Sequence, residues 1–160
     1  MSDRSRLMRI AHRGASGHCP ENTRAAFLRS IELGADMVEL DCQITRDGAV
    51  VVIHDETLDR TTNGRGRVRD HTLKEIKRLD AGSWFRHEFA GEEVLTLEEA
   101  VEILSGRVQL NLEIKGVDPP GRLEIQCVGI VRSLRFSRET VFSSFSAART
   151  MAASAASTVD

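Results

Sequence analysis

The stretch MVELDCQI, Met37 to Ile44, reads as a β-strand with two different faces. Side chains alternate along a strand, so Val38, Leu40 and Cys42 share one face while Glu39, Asp41 and Gln43 share the other. Two carboxylates thus point the same way, two residues apart. Burying an ionised carboxylate is costly and two neighbours repel, so a buried pair requires a cationic partner, most economically a divalent metal. The same pattern also fits a half-exposed antiparallel strand with its acidic face in water. The flanking sequence has to choose between the two.

Before this strand, Met8 to Ala11 is a short apolar run that ends at His12-Arg13-Gly14 and opens into a loop containing Gly, Ser and Pro. Asn22 or Thr23 can cap a helix with Thr23, Ala26, Phe27 and Ile31 on its buried stripe, and Gly34 supplies a left-handed stop. Strand, helix and strand in this order form the parallel βαβ signature, with helices covering the sheet. After Met37–Ile44, Thr45 to Gly48 makes a tight turn and Ala49 to Ile53 an apolar strand ending at His54-Asp55, with no room for a helix between. Glu56 to Val94 is polar and turn-rich, in the manner of an insertion, and Thr72-x-x-Glu75 opens a short helix with a capping box.

Thr96-x-x-Glu99 opens the next helix, with Leu97, Val101 and Leu104 as its apolar stripe. Val108 to Lys115 is again a strand of dual character: Leu110, Leu112 and Ile114 face one way, Asn111, Glu113 and Lys115 the other. Pro119-Pro120 breaks the chain, Leu123, Cys127, Ile130 and Leu134 mark a helix, and Thr140 to Phe145 is a fifth strand. Ser146 to Asp160 is rich in Ala and Ser and reads as a weak helix or a frayed tail.

The 160 residues suffice for one domain with a real core, at 41% apolar content. A formal net charge of −2, from 22 basic and 24 acidic residues, leaves no electrostatic footprint for nucleic acid or an anionic membrane. No apolar run reaches membrane-spanning length, and MSDRSRLMR leads directly into a strand, so the protein is expected to be cytoplasmic. Cys19, Cys42 and Cys127 lack metal-site or framework spacing; Cys42 and Cys127 sit on apolar faces as small core residues.

The polar residues at strand ends form a set: His12 and Arg13, Glu39 and Asp41, His54 and Asp55, Glu113 and Lys115. In a parallel β/α architecture the C-terminal ends of the strands share one face, where active sites are assembled. Three carboxylates without thiolates favour a hard cation, Mg2+ or Ca2+. Two histidines can serve as base and acid, and Arg13 and Lys115 suit a phosphate. Singly, each has a plainer role: a strand-end histidine packs or lies at the surface, Lys115 pairs with Glu113, and Asp55 belongs to a turn or supports a neighbour. The joint pattern carries the functional reading.

AHRGASGHCPENT at 11 to 23, VELDCQITRDGAVVVIHDETLDRTTNGRG at 38 to 66, LDAGSWF at 79 to 85 and LNLEIK at 110 to 115 resemble the glycerophosphodiester phosphodiesterase family. H-R-G, P-E-N-T, E-x-D, H-D and E-x-K stand in the family's order and spacing. The resemblance implies a (β/α)8 TIM-type barrel in which Glu39, Asp41 and Glu113 bind one divalent cation, His12 and His54 act as acid and base, and Arg13 and Lys115 hold the phosphate. It also implies that the insertion, at about 56 to 94, caps the barrel mouth. The substrate class it implies is a small glycerophosphodiester, cleaved to glycerol 3-phosphate and an alcohol.

The resemblance covers positions 10 to about 145. A closed barrel has eight strands and about 250 residues, whereas five strands are legible here. Residues 1 to 145 are therefore expected to be the N-terminal part of a single barrel domain, followed at 146 to 160 by a tail atypical of the family, as truncation or a shifted reading frame would produce. Two functional expectations follow. One is a metal-dependent phosphodiesterase; the other is a catalytically incompetent fragment that retains metal or phosphate binding. Open barrel edges would leave Met8 and Ile10 at one end and Val141 and Phe142 at the other under-covered, favouring self-association.

Overall fold

The computed structural model describes residues 7–115 and 121–144. Five strands, β1 (Ile10–His12), β2 (Met37–Ile44), β3 (Val50–Val52), β4 (Gln109–Ile114) and β5 (Thr140–Ser143), form one sheet. Helix α1 (Arg24–Glu32) links β1 to β2, α2 (Leu73–Ile76) and α3 (Leu97–Leu104) precede β4, and α4 (Arg122–Ser133) links β4 to β5. β1, β2, β4 and β5 lie side by side in that order and are all parallel.

Local chemistry accounts for the helices. Thr23, and not Asn22, caps α1 by accepting from the Ala26 amide, and Thr72 and Thr96 open α2 and α3 with complete capping boxes closed by Glu75 and Glu99. Phe27 of α1, Leu97, Val101 and Leu104 of α3, and Leu123, Cys127 and Val131 of α4 pack on Val38, Leu40, Cys42, Leu110, Leu112 and Ile114 of the sheet. Leu134, expected inside α4, caps its end. All eight residues of β2 are buried, which excludes the half-exposed antiparallel alternative for this strand. Its apolar face meets helices and its acidic face lies inside the curve of the sheet.

β3 departs from the expected run of parallel strands. The connection from β2 is too short for a crossover helix, and parallel neighbours need a dozen residues or more between them. β3 therefore turns back antiparallel, pairing Val50–Val52 with Ile44–Cys42. Cys42 pairs with both Val52 and Ile114, and Met37 with both Ile10 and Gln109, so β1 and β3 share the edge of β2 opposite β4. β1 occupies that edge beside Met37–Glu39 and β3 beside Cys42–Ile44. Their ends consequently meet near Asp41.

The segment after β3 builds its own small core from Val51, Ile53, Leu58, Val68, Ile76, Ala81 and Val94. At the sheet edges, Ile10 (52%) and Val141 (53%) are half exposed, and Met8 is exposed as well. Phe142 differs from the expectation: it points to the helices and packs against the main core. The face a residue occupies, and not its strand alone, decides its cover. The Pro119-Pro120 break, Phe145 and the Ala/Ser tail lie outside the described residues.

Candidate active site

Strand register assembles the site. His12 pairs with Glu39 and Glu39 with Asn111, while Asp41 pairs with Glu113 and Glu113 with Ser143. With a period of two, all six side chains fall on the concave face of the sheet. One oxygen each from Glu39, Asp41 and Glu113 lies within 4.8 Å of the others. Asp41 is fully buried and Glu39 nearly so. Above them is a cavity of about 580 Å³ lined by His12, Arg13, Glu39, His54, Asn111, Glu113, Lys115, Ser143 and Ser144. Of the seven residues expected from sequence, six line this cavity and Asp41 lies beneath it.

The loop after β1 is shaped to serve these carboxylates. Arg13 takes a left-handed backbone (φ 55°), and its amide donates to Glu39 Oε2 at 2.8 Å. Gly14 follows, also at positive φ, where a Cβ would stand 2.8 Å from that of Ala26. Asn22, likewise left-handed, donates through Nδ2 to Asp41 Oδ2 at 3.0 Å. Such conformations in non-glycine residues cost on the order of 1 kcal/mol each and concentrate where function holds them. Arg13 Nε stands 3.3 Å from Asp41 Oδ2, and Lys115 Nζ donates to Glu113 Oε1 at 2.7 Å and lies 3.5 Å from Asp41 Oδ1.

These contacts do not satisfy the cluster. Glu39 Oε1, Asp41 Oδ1 and Asn22 Oδ1 are buried without a hydrogen-bond donor. Burial, reinforced by the Asp41 charge, pushes the Glu39 carboxyl up to about 7, against the pull of the Arg13 amide. Buried oxygens without donors, in an all-oxygen set of three carboxylates, fit a hard divalent cation.

The histidines differ in their surroundings. His12 is largely exposed, with Nε2 3.8 Å from Glu39 Oε2. His54 is held through Nδ1 by Asp55 Oδ1 at 2.7 Å, and its carbonyl accepts from Gln43 Nε2. The Asp55 carboxyl is held far below its ordinary range, first by hydrogen bonds from Arg60. An ionised Asp55 requires Nδ1 to be the donor, which leaves Nε2 for the cavity.

Sequence reasoning missed Asn22, Glu21, Arg60, Asn111, Ser143 and Ser144 as parts of this region. Alternation along β4 already placed Asn111 beside Glu113, and the same rule on β5 finds Ser143. Ser143 Oγ donates to Asn111 Oδ1 at 2.9 Å, tying the two strands on the cavity side. By its spacing Asn22 reads only as a possible helix cap.

A parallel strand–helix wall of TIM-barrel type, with a carboxylate cluster able to hold a metal ion and histidines at the same mouth, is the class that fold and site define. The model of the "Glycerophosphoryl diester phosphodiesterase family" matches residues 12–158, and the chain belongs to that family. It is 52% identical over 139 residues to a glycerophosphodiester phosphodiesterase of Caldanaerobacter subterraneus, covering 85% of this chain and 57% of the relative. The crystal structure of the Agrobacterium tumefaciens glycerophosphodiester phosphodiesterase superposes with a TM-score of 0.86 at 40% identity, covering 94% of this chain and 63% of that one. An Oleispira antarctica phosphodiesterase, solved in complex with the product sn-glycerol-3-phosphate, gives a TM-score of 0.81 at 38% identity, with coverage of 93% and 62%. The chain thus spans little more than half the length of the curated relative it matches at 52% identity.

Proposed function

We propose that this chain carries the reacting centre of a metal-dependent phosphodiesterase that hydrolyses glycerophosphodiesters to glycerol 3-phosphate and an alcohol. The observation that carries the reading is the convergence of three carboxylates, two with buried oxygens lacking donors, beneath a cavity lined by two histidines and two cations. Glu39, Asp41 and Glu113 would hold one cation, Mg2+ or Ca2+, which when bound supplies Lewis-acid stabilisation of a phosphate oxygen. Arg13 and Lys115, which border both the carboxylates and the cavity, orient the phosphate and offset its charge. One histidine removes the proton of the attacking hydroxyl, of water or of the glycerol group. As the new P–O bond forms, the bond to the alcohol breaks, and the other histidine protonates the departing oxygen. Attack by water gives glycerol 3-phosphate directly; attack by the neighbouring glycerol hydroxyl gives a cyclic phosphodiester, whose ring P–O bond water then breaks with the two histidines exchanging roles. His54, with Nδ1 held by Asp55, presents Nε2 for one of these transfers.

In this reading residues 1–145 are the N-terminal part of one barrel domain and 56–94 cap its mouth. The cap is supported by hydrogen bonds from the Ala25 amide to Glu92 and from Arg86 to the His18 carbonyl. We place the protein in the cytoplasm; among the described residues no helix is long and apolar enough to cross a membrane, and Cys19, Cys42 and Cys127 are free and buried. The exposed residues at β1 and β5 support self-association, which sedimentation of the 160-residue chain tests: a monodisperse monomer refutes it.

A second reading, binding of cation and phosphate without turnover, is favoured by the exposure of Ile10 and Val141 on the cavity face, which admits water to the site. Calorimetric titration with Mg2+ or Ca2+, together with an assay for glycerol 3-phosphate released from glycerophosphocholine, separates the two. Release that a chelator abolishes supports hydrolysis, whereas cation binding without release supports the second reading.

A further inference from the structure

Arg60, in the segment after β3, stands outside the chemistry described above yet makes four hydrogen bonds to two carboxylates. Its Nε and Nη2 donate to Asp55 Oδ2 and Oδ1 at 2.8 and 2.9 Å. Its Nη1 and Nη2 donate to Glu21 Oε2 and Oε1 at 2.9 and 2.8 Å. Each carboxylate then takes one more donor, and both donors belong to cavity-lining residues: His54 Nδ1 on Asp55 Oδ1 at 2.7 Å, and Arg13 Nη1 on Glu21 Oε1 at 3.0 Å. One guanidinium therefore lies at the centre of a chain running from His54 to Arg13.

We propose that Arg60 is a positioning residue for the phosphodiester site, fixing the His54 imidazole as its Nδ1–H tautomer and the Arg13 guanidinium in its present orientation by clamping Asp55 and Glu21. The assignment rests on the roles proposed above for His54 and Arg13. Two features separate such a clamp from a surface ion pair. The contacts are paired forks to both carboxylates, a geometry that planar guanidinium supports and a lysine ammonium does not. The two carboxylates also belong to distant parts of the chain, Glu21 before α1 and Asp55 after β3, so Arg60 sets their separation. With Arg60 partly exposed, the network adds little to stability, and its consequence is geometric. Asp55 acts through its placement: held by Arg60 on both oxygens, its Oδ1 stands 2.7 Å from His54 Nδ1 and demands a proton on that nitrogen.

The test uses the 15N-labelled 160-residue chain with Arg60→Gln and Arg60→Lys, on the alkaline side of imidazole titration. The His54 ring signals are assigned by their loss in His54→Asn, and long-range 1H–15N spectra report the tautomer. The wild type is expected to show Nδ1–H alone and both variants a mixture with Nε2–H, with the backbone amide spectrum otherwise preserved. Should Arg60→Gln fail to fold, Arg60→Lys keeps the charge and reads the same signal. An unchanged His54 tautomer in the folded variants overturns the proposal. Where hydrolysis is measurable, kcat is expected to fall about 10- to 100-fold, the scale of a small misplacement of a reacting group. KM should change several-fold through Arg13, while the cation-induced rise in Tm persists. Loss of that rise would make Arg60 a support of the carboxylate cluster instead and would also overturn the assignment. If the wild type shows no turnover, the hydrolytic reading fails, and the tautomer comparison still decides the role of Arg60.

Discussion

Glu39 and Glu21 border the same site, and folding moves their carboxyls in opposite directions. For Glu39, burial raises the pKa, the neighbouring Asp41 charge adds to it, and the value reaches about 7. For Glu21, burial also raises it, but hydrogen bonds and charge from Arg60 and Arg13 outweigh burial and the carboxyl ends below its ordinary value. Asp55, gripped by the same guanidinium, is held down as well. The chain thus supplies its own cation to the Glu21–Asp55 pair, with every carboxylate oxygen accepting a hydrogen bond. It leaves buried oxygens of Glu39 and Asp41 without donors. The contrast locates where an external charge is wanted: beside a carboxylate cluster that the protein has only half neutralised.

The most severe way to break this contrast is to remove the repulsion itself. Glu39→Gln is expected to lower hydrolysis about 10³-fold or more, the scale of several kcal/mol of lost charge stabilisation, and to abolish the cation-induced rise in Tm. It should nonetheless make the metal-free protein more stable near neutral pH. Scanning calorimetry with and without Ca2+ or Mg2+ reads both signs, and a metal-free variant less stable than wild type would refute the picture of an under-neutralised cluster.

Replacing His12 or His54 by Ala should lower turnover ~10²- to 10⁴-fold while leaving cation affinity nearly intact. A parallel loss of cation binding would move that histidine into the ligand set. Isothermal titration beside a steady-state assay distinguishes these outcomes.

For the unmutated chain, a cation at a hundredfold excess over its Kd should stabilise the fold by about 3 kcal/mol. The pH dependence sharpens the expectation. Because the folded-state pKa of Glu39 is raised, the folded protein binds more protons, so metal-free stability is lost as pH rises from 4.5 towards about 7. The loss is on the order of 3 kcal/mol. Saturating cation should remove this slope, as denaturant titrations across that window would show; a slope unaffected by cation would count against the site.

The smallest effect has the opposite sign. Glu21 and Asp55 have depressed folded-state pKa values, so their contribution is present above the ordinary 4.5 and 3.8 and disappears as pH falls through and below them. Partial exposure limits it to about 1 kcal/mol. Arg60→Gln should flatten this acid-side loss without touching the neutral-pH slope set by Glu39. Acid denaturation profiles of the two proteins would decide whether the clusters are separate.

Residues whose roles follow from local spacing were legible beforehand. The alternation in Met37–Ile44 and Val108–Lys115 put Glu39, Asp41 and Glu113 on one face, and Thr72 and Thr96 announced their capping boxes. His54 was found at a strand end, but its placement depends on β3 lying antiparallel on the edge that β1 leaves open, which no local period encodes. Asn22 sits in a motif that first reads as a helix start; only the fold shows its side chain donating to Asp41, 19 residues on. Arg60 lies within a stretch that carries the family resemblance, but no local spacing gave it a role, since its partners Asp55 and Glu21 are 5 and 39 residues away and neither separation belongs to a helix or strand repeat.

The amino-acid sequence by itself determined the element types, the parallel βαβ start and the gathering of charged and histidine residues at strand ends. These depend on periodicity, capping and side-chain chemistry within a few residues. Tertiary structure alone decided that Asp41 is sealed beneath the cavity, that β3 reverses to bring His54 beside it, and that Arg60 joins the His54 and Arg13 supports. Those outcomes depend on which distant backbone segments occupy the two edges of β2 and on how completely water is excluded between them. Burial and pairing of that kind arise only when the whole chain has closed around the strand.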